Sequence, residues 1–142
     1  MKKTAFIILM IISAATSMTG CQKDEDPTQS ISSSNTASLP GNWKVIYYFD
    51  NNKDETIHYS NYTFEFTAGG GFVAMQSSQT FQGSWQETVD DSLPRLVLAI
   101  SGNNDLLELS DDWVIIKMTD TEIWLEDDNN TKKEELRFVK IN

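Results

Sequence analysis

Apolar and polar positions alternate with a period of two along most of the chain beyond residue 40, the pattern of half-buried β-strands. Tyr62 to Thr67, YTFEFT, alternates aromatic and polar side chains. Thr80 to Glu87 does the same and places Phe81, Gly83 and Trp85 on one face. In Arg95 to Ser101, Leu96, Leu98 and Ile100 share a side. Trp43 to Phe49, Phe72 to Gln76, Trp113 to Met118, Glu122 to Glu126 and Glu134 to Ile141 are further strand segments, and Thr56 to Tyr59 is a short candidate. Turn-forming residues separate them: Asp50 to Asp54, Ala68 to Gly71, Thr119 to Thr121 and Asp127 to Lys133, while Asp90 to Pro94 breaks the chain. Leu106 to Leu109 fits either a short strand or a helical turn. About eight closely spaced strands predict an all-β antiparallel sandwich or barrel. Sequential hairpins without long crossovers favour the up-and-down barrel. Closure also removes edges that would otherwise pair with other chains.

The first 38 residues follow another pattern. Lys2 and Lys3 precede an apolar run, Ala5 to Ala15, which ends in small and polar residues up to Gly20. That run is far shorter than the roughly 20 apolar residues of a spanning helix, and its basic and small flanks are those of a cleaved signal. Cys21 is the only cysteine, so no intrachain disulfide can form. Met18-Thr19-Gly20-Cys21 resembles the bacterial lipobox. That resemblance implies cleavage after Gly20 and lipid, palmitate included, on Cys21. A single acyl chain holds a protein only marginally; the three chains implied here would keep it on its membrane. Lys23-Asp24-Glu25-Asp26 resembles the lysine-plus-acidic export signal of surface lipoproteins in one large Gram-negative phylum. It implies an outer-membrane lipoprotein facing outward. Pro27 to Ser38 is rich in Ser, Thr and Asn, too polar to offset its ordering entropy. As a coil it would span roughly 20–25 Å. The expected organisation is a signal peptide over 1–20, a lipidated tag and tether over 21–38, and one barrel domain over 39–142.

Gly41-Asn42-Trp43, set before the first strand, resembles the Gly-x-Trp signature of the lipocalin-like superfamily. Tyr62-x-Phe64-x-Phe66, Gly83-Ser84-Trp85 and Asp111-Asp112-Trp113 look like small lipocalin-like lipoproteins of the same phylum. The resemblance implies a barrel whose first-strand Trp packs at the closed end beneath a basic side chain from near the last strand. Arg137 is the matching candidate and Lys140 the second. The domain is shorter than a lipocalin, and no helical pattern follows its last strand. Both departures weigh against a deep cavity.

Charge narrows the partners. The chain has 11 basic and 21 acidic residues. Losing Lys2 and Lys3 with the signal leaves 9 against 21, a side-chain charge of −12 with histidine neutral. Nucleic-acid binding needs a basic footprint that is missing here, and an anionic membrane surface would repel the domain.

The sequence offers little chemistry. His58 is the only histidine, so a site built from several histidines is excluded. It lies in a polar stretch and reads as a surface residue. No Gly-x-Ser-x-Gly elbow is present, and Gly69 to Gly71 lacks the Lys-Ser or Lys-Thr of a phosphate loop. Asp50 to Asp54 begins like a calcium loop, but Glu55 stands where Gly is needed and Asn61 where a bidentate Glu is needed. Glu126 to Asn130 is a second oxygen-rich turn with no complete pattern. Asp91-Ser92-Leu93 resembles a short O-glycosylation signal of the same phylum. The expectation is therefore a non-enzyme with no cofactor and no metal. Its barrel would bind a small apolar or amphipathic ligand, lined by Phe64, Phe66, Phe81 and Trp85. The alternative is a filled barrel that presents loops to a protein partner or serves as an envelope accessory. Eight strands allow either interior.

Overall fold

The structure is a computed structural model, and it describes residues 38–129 and 131–142. The expected signal, Cys21 and the Lys23–Asp26 tag lie outside the described residues. Residues with the period-two pattern form β1 (Gly41–Asp50), β3 (Thr63–Phe66), β4 (Gly71–Gln76), β5 (Gln79–Asp90), β6 (Leu93–Ile100), β7 (Asp112–Met118), β8 (Glu122–Glu126) and β9 (Glu135–Ile141). A two-residue strand, β2 (Lys53–Asp54), folds back on β1. Each of the eight main strands pairs antiparallel with its neighbours in sequence order, and β1 also pairs with β9. The sheet therefore closes into an eight-stranded antiparallel barrel with β2 as an appendage, as the alternation predicts.

Two local expectations need correction, and one open alternative is decided. Thr56–Tyr59 is a 3₁₀ turn and not a strand. It seats Tyr59 in the core, while the Thr56 hydroxyl accepts the Tyr48 N–H at 2.9 Å. Leu106 lies in a single helical turn, α1 (Asn104–Leu107), capped by the Asn103 side chain. Asp90–Pro94 does not break the sheet. Asp91 and Ser92 both have positive φ, 47° and 66°, as a two-residue type I′ hairpin requires. Pro94 fits inside β6 because its nitrogen faces β7, and the β6–β7 ladder begins only at Arg95↔Val114.

The ends of the barrel are closed by related devices. Trp43 opens β1 and its indole N–H donates to the Leu39 carbonyl, 2.9 Å away. Trp113 opens β7 and donates to the Leu109 carbonyl at 3.1 Å. Both tryptophans and Leu109 are fully buried, and Leu39 nearly so. Three residues after each Trp, the ladder register slips, at Ile46 and at Ile116. A bulge turns one side chain outward, which explains why these two isoleucines are 49% and 52% exposed. Because β1 and β7 run in opposite directions, one Trp closes each end.

Between these ends the interior is aromatic. Phe66 and Phe72 lie 4.8 Å apart by ring centroids, Phe64 stacks on Phe72 at 5.5 Å, and Phe138 meets all three edge-on. Such offset and edge-to-face contacts are favourable beyond area burial alone. Gly83 faces inward between Phe81 and Trp85, opposite Ile100. A Cβ built there collides with the Ala99 carbonyl oxygen and stands 2.9 Å from the Ile100 Cα. Backbone cannot yield as a side-chain tip can. Gly83→Ala is expected to lower stability by about 1–3 kcal/mol through overpacking, read as a shifted urea midpoint. An unchanged midpoint would mean that β5 and β6 do not approach this closely.

Candidate functional site

The signature residues of the sequence meet only in part. Trp43 is where Gly-x-Trp predicts, at one closed end. The basic side chain over it is Lys140 and not Arg137: the Lys140 Nζ lies 5.1 Å from the Trp43 ring centroid and donates to the Ser38 carbonyl at 2.9 Å. Strand parity decides this. Trp43 pairs directly with Lys140, whereas Arg137 pairs with Tyr47 and faces outward. Gly41 has a φ of +138° and lies against the Lys140 side chain.

Arg137 instead builds an outer ladder across four strands. Its guanidinium stands 4.8 Å from the Tyr47 ring and 4.6 Å from Trp124, and the Lys117 Nζ lies 4.6 Å from Trp124. Each such contact contributes about 0.5–1 kcal/mol when exposed. Glu135 holds Arg137 at 2.7 Å and also pairs with Lys133. The Lys133 bond, and then that of Arg137, keeps the Glu135 carboxyl below the usual range.

Of the four residues expected to line a ligand, Phe64 and Phe66 are fully buried against other rings. Phe64 stacks on Phe72, and Phe66 meets Phe138 edge-on. Phe81 and Trp85 are half-buried at the margin of this cluster, and the Trp85 indole N–H donates to the Thr67 carbonyl at 3.0 Å. At the loop-rich end, the Tyr59 hydroxyl donates to the Asp105 carbonyl at 2.7 Å, and the Asn103 amide donates to the Tyr62 hydroxyl at 3.0 Å. The long β1–β3 and β6–β7 connections thus meet across the barrel mouth. His58 is exposed beside Asp105, 3.6 Å away.

An open groove of about 730 Å³ lies outside the barrel. Leu93, Val114 and Ile116 supply apolar surface, and Asp127, Asp128 and Lys132 of the β8–β9 loop line it as well. Arg95 anchors that loop. It is buried on the outer side of β6, pairs with Asp128 and donates to the Asp112 carbonyl at 3.0 Å. Sequence reasoning missed Arg95, because an arginine at a strand start reads as solvated until a loop folds over it. Ser92 sits exposed at the tip of the β5–β6 hairpin.

The most unusual chemistry is a layer of acids at the loop-rich end. Inward positions Tyr48, Trp113, Leu125 and Leu136 are core. Two residues further toward that end on the same parity are Asp50, Asp111, Asp127 and Glu134. Oxygens of Asp111, Asp127 and Glu134 lie within 4.8 Å of one another. Three such carboxylates could hold a hard cation such as calcium. Among the described residues, Asp127 of the second oxygen-rich turn joins Asp111 and Glu134, and no acid of the first turn is in that group. Burial, and then neighbouring acid charge, pushes the Tyr48 phenol well above its usual range. Parity counted past the last apolar residue of each strand was the sequence signal for this layer.

The closed sheet and its buried aromatic core define the class: an eight-stranded antiparallel barrel. The fold is similar to that of the crystal structure of a DUF4847 family protein from Bacteroides vulgatus ATCC 8482. The two share 14% identity with a TM-score of 0.51, over 73% of this chain and 96% of that one. No protein-family profile and no curated protein sequence matches the chain.

Proposed function

We propose that this protein is a non-catalytic lipoprotein, anchored through Cys21 at the outer face of the outer membrane, whose lipocalin-like barrel presents its loops to a protein partner. The filled interior carries this reading. Phe64, Phe66, Phe72 and Phe138 are fully buried and pack ring against ring across the barrel. Leu93, Val114 and Ile116, bordered by charged loop residues, have the anatomy of a protein interface: an apolar centre within a polar rim. The −12 side-chain charge of the expected mature chain, 9 basic against 21 acidic residues, favours a protein over nucleic acid.

Native mass spectrometry of the lipidated protein, purified from its own host, tests the reading. The expected mass is that of residues 21–142 plus the acyl groups on Cys21. A stoichiometric small molecule would restore the ligand-carrier reading in its place. The address has its own test. Protease added to intact cells should remove the protein. Changing Lys23, Asp24, Glu25 and Asp26 together to Ala should protect it while palmitate labelling persists. Cys21→Ser should abolish that labelling and yield a soluble or uncleaved form. Protection of the unaltered protein, or labelling that survives Cys21→Ser, would overturn the corresponding half of the proposal.

A further inference from the structure

The β5–β6 hairpin outruns the closed ladder. β5 pairs with β4 only from Gln79 to Ser84, but with β6 from Gly83 to Asp90. β6 meets β7 only from Arg95 onward. Beyond Trp85, the β4 side of β5 is therefore uncovered. The Trp85 N–H donates to the Gly70 carbonyl at 2.8 Å, toward β4, whereas the Gln82 carbonyl accepts from Ser101 at 3.3 Å, toward β6. Backbone groups alternate between the two sides along an antiparallel strand. The N–H and C=O groups of Glu87 and Val89 thus point out of this edge, and none of the described residues pairs with them. The other edge of the hairpin carries Pro94, which has no N–H. The β5 edge has no proline, and an open edge is a template for another strand.

Trp85, Glu87 and Val89 share a face, the inner face of the barrel carried past its core. Leu96, opposite Glu87, is buried, but Val89 is 71% exposed, and Pro94 opposite it is exposed as well. An added strand would set its own side chains beside Glu87 and Val89 on that face. Glu87, Asp90 and Asp91 are all exposed. Between Gln79 and Ile100 the only cation is Arg95, which is buried and pairs with Asp90, Asp112 and Asp128. Two copies joined along this edge would bring these acids together with no exposed cation between them, which disfavours self-pairing. A basic strand is attracted to the same edge.

We infer, resting on the reading of a protein partner, that this partner binds by strand addition: an extended segment, with a Lys or Arg opposite Glu87 and an apolar residue opposite Val89, pairs with the open β5 edge. Main-chain bonds to Glu87 and Val89 supply the attachment, and the alternating side chains supply the choice of segment. The acids admit a basic strand and turn away copies of the chain itself, so the edge stays open without driving aggregation.

Photo-crosslinking of the full chain in its own host tests strand addition. The photoreactive residue p-benzoylphenylalanine, placed at Gln86, probes the edge; placed at Ile116, it probes the outer groove. The Gln86 position should capture a protein, and mass spectrometry of the joined peptides should find a captured segment in which Lys or Arg alternates with apolar residues. Val89→Pro removes an edge donor without removing a bond to β6, and should lower the yield by roughly fivefold, the weight of one backbone hydrogen bond. Glu87→Lys should lower it too, by repelling the basic segment. That side chain is exposed, so this variant decides the matter if Val89→Pro does not fold. Capture from Ile116 alone would overturn strand addition and leave the protein-partner reading standing. Capture of a second copy or of an acidic segment at Gln86 would also overturn strand addition, as would a yield that neither variant changes. No captured protein at either position would overturn both strand addition and the partner reading.

Discussion

Trp43→Ala is expected to cost about 3–5 kcal/mol of folding stability, the usual range for a buried large aromatic. The side chain is fully buried, packs edge-on against Phe66 at 6.1 Å, and hydrogen-bonds Leu39. Its loss opens one end of the barrel and leaves the Leu39 carbonyl unpaired. A loss of this size is comparable to the whole stability of many small domains. The partner assignment can be separated by double-mutant cycles. Lys140→Ala should couple to Trp43→Ala, because the ammonium lies over the indole. Arg137→Ala should add to it within about 0.5 kcal/mol, as independent sites do. Coupling to Arg137 with additivity at Lys140 would reverse the parity argument. Chemical denaturation followed by tryptophan fluorescence suits all but the Trp43 variants, for which circular dichroism is the better probe.

Phe66→Ala carries the second large effect, again about 3–5 kcal/mol. It removes the ring that touches Trp43, Phe72, Trp85 and Phe138 together. The apolar space left behind has no polar group to hold water, so a small aromatic molecule should enter it, as happens in other engineered apolar cavities. Added indole or benzene should therefore raise the melting temperature of Phe66→Ala and leave the unaltered protein unmoved. A shift in the unaltered protein would reveal interior space that its own rings do not fill, and with it a place for a carried ligand.

Local pattern carried most of the fold. Phe64 and Phe66, Leu96 and Leu98, Ile123 and Leu125 each lie two apart on one face, and burial follows that parity. Where the reading erred, a neighbour overrode local preference. Ile57 and Tyr59 alternate as a strand would, yet only Tyr59 finds a core to enter, and Ile57 is left 73% exposed. Pro94 was read as a break because its effect depends on whether a ladder lies on its nitrogen side. That is a property of β7 and not of Pro94.

The candidate site was less legible. Trp43 could be named from its motif, but the cation above it could not. Arg137 and Lys140 are three residues apart, and a single step of register exchanges which of them faces inward. The two bulges made a similar choice for Ile46 and Ile116. The sequence by itself determined the strands, their order and the apolar face of each, because side-chain parity and turn chemistry act over a few residues. Only the tertiary structure decided that the rings meet and fill the interior, that Lys140 covers Trp43, and that Asp50, Asp111, Asp127 and Glu134 form one layer. Those relations depend on which residues of distant strands stand opposite one another, and barrel closure sets that register.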